Sequence, residues 1–117
     1  MVLDDLSTGL ARNLRFSTHK FLKGSILNRK LLRKSAEGAD SIIHLAAIGS
    51  VPRSILAPRP THDANITGTL NVLEVARELD IPHVVVASSS SVYGANPALP
   101  KDETDWTRPL SPYAVSK

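Results

Sequence analysis

Along this chain, short apolar runs alternate with stretches whose apolar positions repeat at helical spacing. "MVLD" is an apolar run ending in an acid, too brief for a complete core strand. "KFLKGSI" predicts a strand, and "NRKLLRKSAEG" a helix with Asn28 as N-cap and Gly38 as stop. "DSIIHLAA" is nearly continuously apolar, as strands buried on both faces of a parallel sheet are. The proline-broken "IGSVPRSILAPRP" predicts a loop. A long helix is expected from Thr61 to Leu79, with Ile66, Leu70, Leu73 and Ala76 as its buried stripe. Gly68 costs that helix about 1 kcal/mol against alanine, which close approach of the backbone to a strand or ligand would offset. After Pro82, "HVVVASS" predicts another buried strand, and Ser90 to Leu110 is loop-rich.

Strands separated by helices of these lengths imply right-handed βαβ units, hence an α/β fold around a parallel sheet. A chain of 117 residues has room for one such domain. Ligands in these sheets bind beyond the carboxyl ends of the strands. Three segments should therefore open on one edge: the loop after Asp4, Ala46 through Ser54, and Ser88 through Gly94.

Composition narrows the function classes. Hydrophobic residues at 42% and charged residues at 21% suit a soluble globular protein. No run of about 18 apolar residues is present to span a membrane, and "MVLDDLSTG" lacks the features of a secretory signal. The absence of cysteine excludes disulfides and thiolate metal sites, and fits a cytoplasmic location. The net charge of +3 gathers in Arg12, Arg15, Lys20, Lys23, Arg29, Lys30, Arg33 and Lys34. This cluster reads as a solvated strand-and-helix face, and no nucleic-acid partner is expected.

Two clusters could carry chemistry. Asp4 ends its strand as an ordinary turn former would. In a dinucleotide-binding fold an acid at that place takes the adenosine ribose hydroxyls. The other cluster joins "VVVASSSSVYG" to "SPYAVSK". Tyr113 and Lys117 stand four residues apart, so a helix sets them on one face, where the ammonium favours a phenolate over a phenol. A serine hydroxyl facing the same point could bind a substrate oxygen and relay its proton. Taken alone, a Tyr-x-x-x-Lys pair also describes an exposed helix pair of little consequence.

The motifs together are more specific. "VLDDLSTG", "IIHLAA", "SVPRS", "NITGTLNVLEVAR", "VVASSSSVYG", "LP" with "DE" soon after, and "SPYAVSK" resemble the NAD-dependent nucleotide-sugar epimerase/dehydratase family of extended short-chain dehydrogenases/reductases. They keep that family's order and spacing over almost the whole chain. The resemblance implies a Rossmann-like parallel sheet flanked by helices, with residues 1–117 as part of its NAD-binding domain. It implies further that a first strand with phosphate-binding glycines and a carboxyl-terminal sugar-nucleotide region lie outside this stretch, and that the stretch alone is inactive.

Site residues follow by the same resemblance. The cofactor NAD would be held by Asp4, Asp5, Ser7, Ser25, Ile26, Ala46, Ala47 and Asn65, together with Tyr113 and Lys117. Ser25 stands where the family carries an acid toward the adenine, and Asn65 also reads as a helix cap. The catalytic set would be Ser89, Tyr113 as base and Lys117, with Ser88 and Ser90 flanking the serine and Tyr93 as a pocket wall. Ser50, Val51, Ser54, Ser89, Ser90 and Tyr113 would meet a UDP-sugar, with no metal involved. Family dehydratases carry an acid pair where this chain has Ser90 and Ser91. That difference favours oxidation and reduction at one carbon, C4 of a UDP-glucose or UDP-galactose type of sugar. Another dehydratase or reductase of the family, or a non-catalytic nucleotide-binding module, is the alternative. The family commonly forms homodimers through the long helix and the helix that begins at Tyr113.

Overall fold

The computed structural model describes residues 1–16 and 18–117. Strand β1 (Val2–Asp4) pairs in parallel with β2 (Phe21–Lys23), Leu3 opposite Leu22. Strand β3 (Ser41–His44) pairs in parallel with β4 (His83–Val86), Ile43 opposite Val85. Each pair forms its own two-stranded sheet. Helix α1 (Arg29–Ala36) links β2 to β3, and its cap is the expected Asn28, whose Oδ1 accepts from the Leu31 amide at 3.2 Å. Gly38 ends that turn in the left-handed region, at φ 74°.

Between β3 and β4 the chain is helical for longer than the sequence predicts. Helices α2 (Val51–Leu56) and α3 (Pro58–His62) occupy the stretch expected to be a loop. Pro52, Pro58 and Pro60 each sit in a first helical turn. No intrahelical partner exists there for the missing N–H, so proline starts these helices instead of breaking them. After α3 the helix continues through one π turn (Asp63–Thr67) into α4 (Gly68–Glu78). The Gly68 amide bonds the Asp63 carbonyl, five residues back.

The core lies on one side of both strand pairs. Ile26, Leu32, Ala36, Val72, Val75, Ala76 and Ile81 form it, and Leu3, Ile42 and Val84 pack against it from three strands. Helices α1 and α4 thus make one layer over both sheets. Arg29 clamps that layer from outside, pairing with Glu74 at 2.8 Å and also with Glu78. On the opposite face Ile43, Leu45 and Val85 are more than half exposed.

This packing corrects the expected stripe on the long helix. Ala76 is buried, but Ile66, Leu70 and Leu73 are exposed, at 39, 55 and 45%. The buried positions are Thr61, Asn65, Gly68, Val72 and Val75. Small and polar residues turn inward because the helix lies close to its neighbours. A Cβ on Gly68 would clash with Ile26, coming within 2.8 Å of its Cγ1. Close approach to the segment after β2 accounts for this glycine.

Candidate active site

Among the described residues, three clefts open at the carboxyl ends of the strands, and two of them gather most of the expected site residues. The first, about 160 Å³, lies where β1, β2 and β3 end, and Asp4, Asp5, Ser7, Ser25, Ile26, Ala46 and Ala47 all line it. Seven of the residues expected to meet the dinucleotide are thus gathered in one place. Asp4 Oδ1 accepts the Leu6 amide at 2.6 Å, which draws Leu6 into the left-handed region at φ 61°. Asp5 accepts the Ser7 amide at 2.8 Å. The Ser7 hydroxyl, and then its amide, hold the Asp5 carboxyl below its ordinary value.

The cleft is polar at one end. The Asp4 carboxylate is exposed at the strand end, and Gly9 faces it. A Cβ on Gly9 would stand 3.5 Å from both carboxylate oxygens, so its absence leaves room for a diol to reach them. An exposed carboxylate can accept hydrogen bonds from a diol and repels a phosphate. Ser25 is committed to its own turn, accepting the Leu27 amide at 3.2 Å. Ile26 is mainly a core residue whose edge reaches the cleft.

The second cleft, about 640 Å³, is lined by Ser88, Ser89, Ser90, Tyr93, Lys101 and Glu103, among others. Ser89 is extended and caps a short 3₁₀ turn (Ser90–Tyr93), accepting the Ser91 amide at 3.2 Å. That bond uses a lone pair and leaves the hydroxyl proton available. Gly94 follows at φ 48°, where a Cβ would collide with the Arg108 carbonyl. This close crossing holds the loop back beside the serine turn.

Helix α5 (Pro112–Val115) packs against that turn and against α2 and α3. Ser111 caps it, accepting the Ala114 amide at 3.1 Å. Tyr113 is half-buried, and its hydroxyl lies near Gly49, 3.9 Å from where a Cβ would be. A Cβ at position 49 would thus meet the phenol at ordinary contact distance. Lys117 follows the helix, its ammonium donating to the Ala87 carbonyl at the end of β4. The Ser88 hydroxyl donates to the Lys117 carbonyl at 3.1 Å. The serine turn and the Tyr113–Lys117 segment are thus tied together.

Two expected contacts take a different form. Ser54 is fully buried; its hydroxyl donates to the Val51 carbonyl at 2.7 Å and accepts the Tyr113 amide at 3.0 Å. It joins α2 to α5 rather than facing a sugar. Asn65 is also buried: its Oδ1 accepts the Ile48 amide at 2.7 Å, and its Nδ2 donates to the Ile48 carbonyl at 3.2 Å and to Ser116 Oγ at 2.9 Å. Both amide hydrogens are spent on the protein, so Asn65 shapes the site from behind. Ser50 caps α2, accepting the Arg53 amide at 3.2 Å, with Val51 exposed beside it.

His44 and Thr69, which carry no role in the sequence reading, stand behind Lys117. Burial first, and the Lys117 charge second, hold the His44 imidazole below its ordinary value of 6.5. One signal was present: a titratable side chain in the otherwise apolar "SIIHL". Among the described residues, no three His, Cys, Asp or Glu side chains gather as a metal site, and no helix is long and apolar enough to cross a membrane.

Comparison with known proteins supplies the context for these clefts. Residues 1–117 match the model of the NAD dependent epimerase/dehydratase family. A UDP-glucose 4-epimerase of Mycolicibacterium smegmatis is 40% identical over 121 residues, covering 98% of this chain and 39% of that protein. The crystal structure of UDP-glucose 4-epimerase from Brucella ovis in complex with NAD aligns with a TM-score of 0.91 at 30% identity, covering 97% of this chain and 35% of that one. The UDP-N-acetylglucosamine 4-epimerase from Methanobrevibacter ruminantium M1, in complex with UDP-N-acetylmuramic acid, aligns at 0.89 and 34%, covering 97% and 37%. The chain thus spans 35 to 39% of the length of these three proteins.

Proposed function

Because this chain belongs to the NAD dependent epimerase/dehydratase family, we propose that its natural-length polypeptide inverts a UDP-sugar of the glucose or galactose type at C4, through a 4-keto sugar. The observation that carries this reading is the match of the whole chain to 4-epimerases, with a serine turn, a tyrosine and a lysine on abutting elements. Residues 1–117 act as part of a single NAD-binding domain. NAD, when bound, supplies reversible hydride storage for the sugar carbon. Asp4 receives the adenosine ribose hydroxyls, with Ala46 and Ala47 leaving space for the backbone to approach.

The chain's own work is proton transfer and positioning. Tyr113, as phenolate, takes the proton of the C4 hydroxyl, directly or through the free Ser89 proton. Lys117, four residues on and anchored at the Ala87 carbonyl, supplies positive charge and a donor to a ribose hydroxyl. When the 4-keto sugar is reduced on its other face, Tyr113 returns the proton. Ser90 and Ser91, where an acid pair would serve elimination of water, keep the chemistry at one carbon.

The exposed apolar stripe of Ile66, Leu70 and Leu73, continued by Val115 at 65% exposure, is the surface we assign to a second copy of the chain. The cytoplasm is the compartment that fits a chain without cysteine. Incubating the natural-length polypeptide and NAD with UDP-glucose, UDP-galactose and their N-acetyl forms tests the reading. Interconversion of one C4 pair is expected; a dehydrated 4-keto-6-deoxy product or no turnover of any of the four would overturn it.

A further inference from the structure

His44 is buried at 6% exposure at the end of β3, and the chemistry proposed above does not use it. Its ring Nε2 lies 2.8 Å from Thr69 Oγ1. The Thr69 hydroxyl has one proton, and it is donated to the Asn65 carbonyl at 2.6 Å. Thr69 Oγ1 must then accept from His44, which makes the imidazole the neutral Nε2–H tautomer. From Asn65 the path continues through its side chain to Ser116 Oγ at 2.9 Å, and Ser116 donates to the Tyr113 carbonyl at 2.8 Å.

A second path starts from the same residue. The His44 carbonyl accepts the Ala87 amide at 3.1 Å, and the Ala87 carbonyl accepts the Lys117 ammonium. The ring path thus ends on the backbone of Tyr113 and the backbone path on the charge of Lys117. The π turn helps to build the first path, since it contains Asn65 and Thr69 follows one turn later. The space around the ring is lined by Thr69, Leu70 and Leu73 of α4, Val86 of β4 and Lys117. Lys117 is therefore the charged group that faces it.

We infer that His44 is a positioning residue for the Tyr113–Lys117 pair, its Nε2–H anchoring through Thr69 and Asn65 the segment that carries both groups. The inference rests on the epimerase reading for its kinetic consequence but not for its hydrogen-bond geometry. Low pH acts against the arrangement, because a protonated imidazole would put a second cation beside Lys117.

Both parts are testable in the natural-length polypeptide. His44→Leu and Thr69→Val each cut the relay at one link. Misplacing a catalytic pair lowers kcat by about 10- to 100-fold, and KM for the UDP-sugar and bound NAD should stay near wild type. His44→Gln keeps a donor near the Nε2 position and should restore kcat to within a few-fold. Wild-type kcat in His44→Leu, or His44→Gln as impaired as His44→Leu, overturns the inference. Nitrogen-15 spectra of the wild-type imidazole provide a readout that needs no variant to fold. They should report protonated Nε2 and bare Nδ1, persisting below the pH at which an ordinary histidine titrates. An Nδ1–H tautomer with bare Nε2 overturns the relay whether or not the protein turns over sugar. Absence of turnover in wild type would refute the epimerase reading, leaving those spectra to decide the relay.

Discussion

Gly68→Ala sets two effects of known size against each other. Gly68 has ordinary helical angles, φ −61° and ψ −44°, so alanine is conformationally permitted and should add about 1 kcal/mol of helix propensity. Against that, the new methyl would fall within 2.8 Å of Ile26 Cγ1 and nearer still to Cδ1. Ile26 is buried in the core and its carbonyl is held by Asn71 Nδ2 at 3.1 Å, so its position is constrained on two sides. Overpacking of this kind costs about 1–3 kcal/mol. The net expectation is a loss of about 1 kcal/mol. Ile26→Val alone should cost roughly 0.5–1.5 kcal/mol for the deleted methylene. Combined, the two should not add, because the alanine methyl fills space that Cδ1 vacates. The double variant should then recover at least about 1 kcal/mol relative to the sum, a coupling that urea denaturation midpoints at constant m resolve. Additivity within about 0.5 kcal/mol, or a Gly68→Ala variant stabilised by the full propensity term, would refute the close-packing account of this helix.

Thr61 is 1% exposed, and among the described residues its Oγ1 finds no hydrogen-bond partner. Thr61→Val keeps the shape and removes an unpaired hydroxyl, so it should stabilise by about 1–2 kcal/mol in the same denaturation assay. The depressed His44 titration predicts a pH dependence of known sign. Above its ordinary value of 6.5 the ring is neutral folded and unfolded, and its contribution is complete. As pH falls from there through the lowered folded value, the unfolded chain binds the proton first, so stability falls. His44→Gln should flatten that part of the stability–pH curve, and a slope unchanged from wild type would exclude the ring as its source. Gly94→Ala meets a positive φ and the Arg108 carbonyl together. It should cost more than about 2 kcal/mol, whereas Gly38→Ala, with a positive φ and open space around it, should cost only about 1 kcal/mol.

The strands were legible because apolar runs such as "SIIH" and "HVVV" leave little choice, and Asn28 capped its helix as its residue type suggests. The helices at Val51–Leu56 and Pro58–His62 were not legible, because proline breaks a helix interior but initiates a first turn, and composition alone does not distinguish the two. Ile66, Leu70 and Leu73 fit helical spacing as well as the buried set does. Periodicity finds a face without saying what covers it, and here Gly68 and Asn65 face inward. The cleft residues from Asp4 to Ala47 gather because parallel strands end on one edge. The commitments of Ser54 and Asn65 depend on contacts 59 and 17 residues away in sequence, with Tyr113 and Ile48, which no local pattern reveals.

The central claim is that Tyr113 moves the proton at the reacting carbon. Comparing wild type with Tyr113→Phe in the natural-length polypeptide, with bound NAD quantified in both, tests it most directly. The expected result is a fall in kcat for C4 interconversion of about 10²- to 10⁴-fold, the range for loss of a general acid–base group, at unchanged NAD content. A variant that turns over within a few-fold of wild type would contradict it.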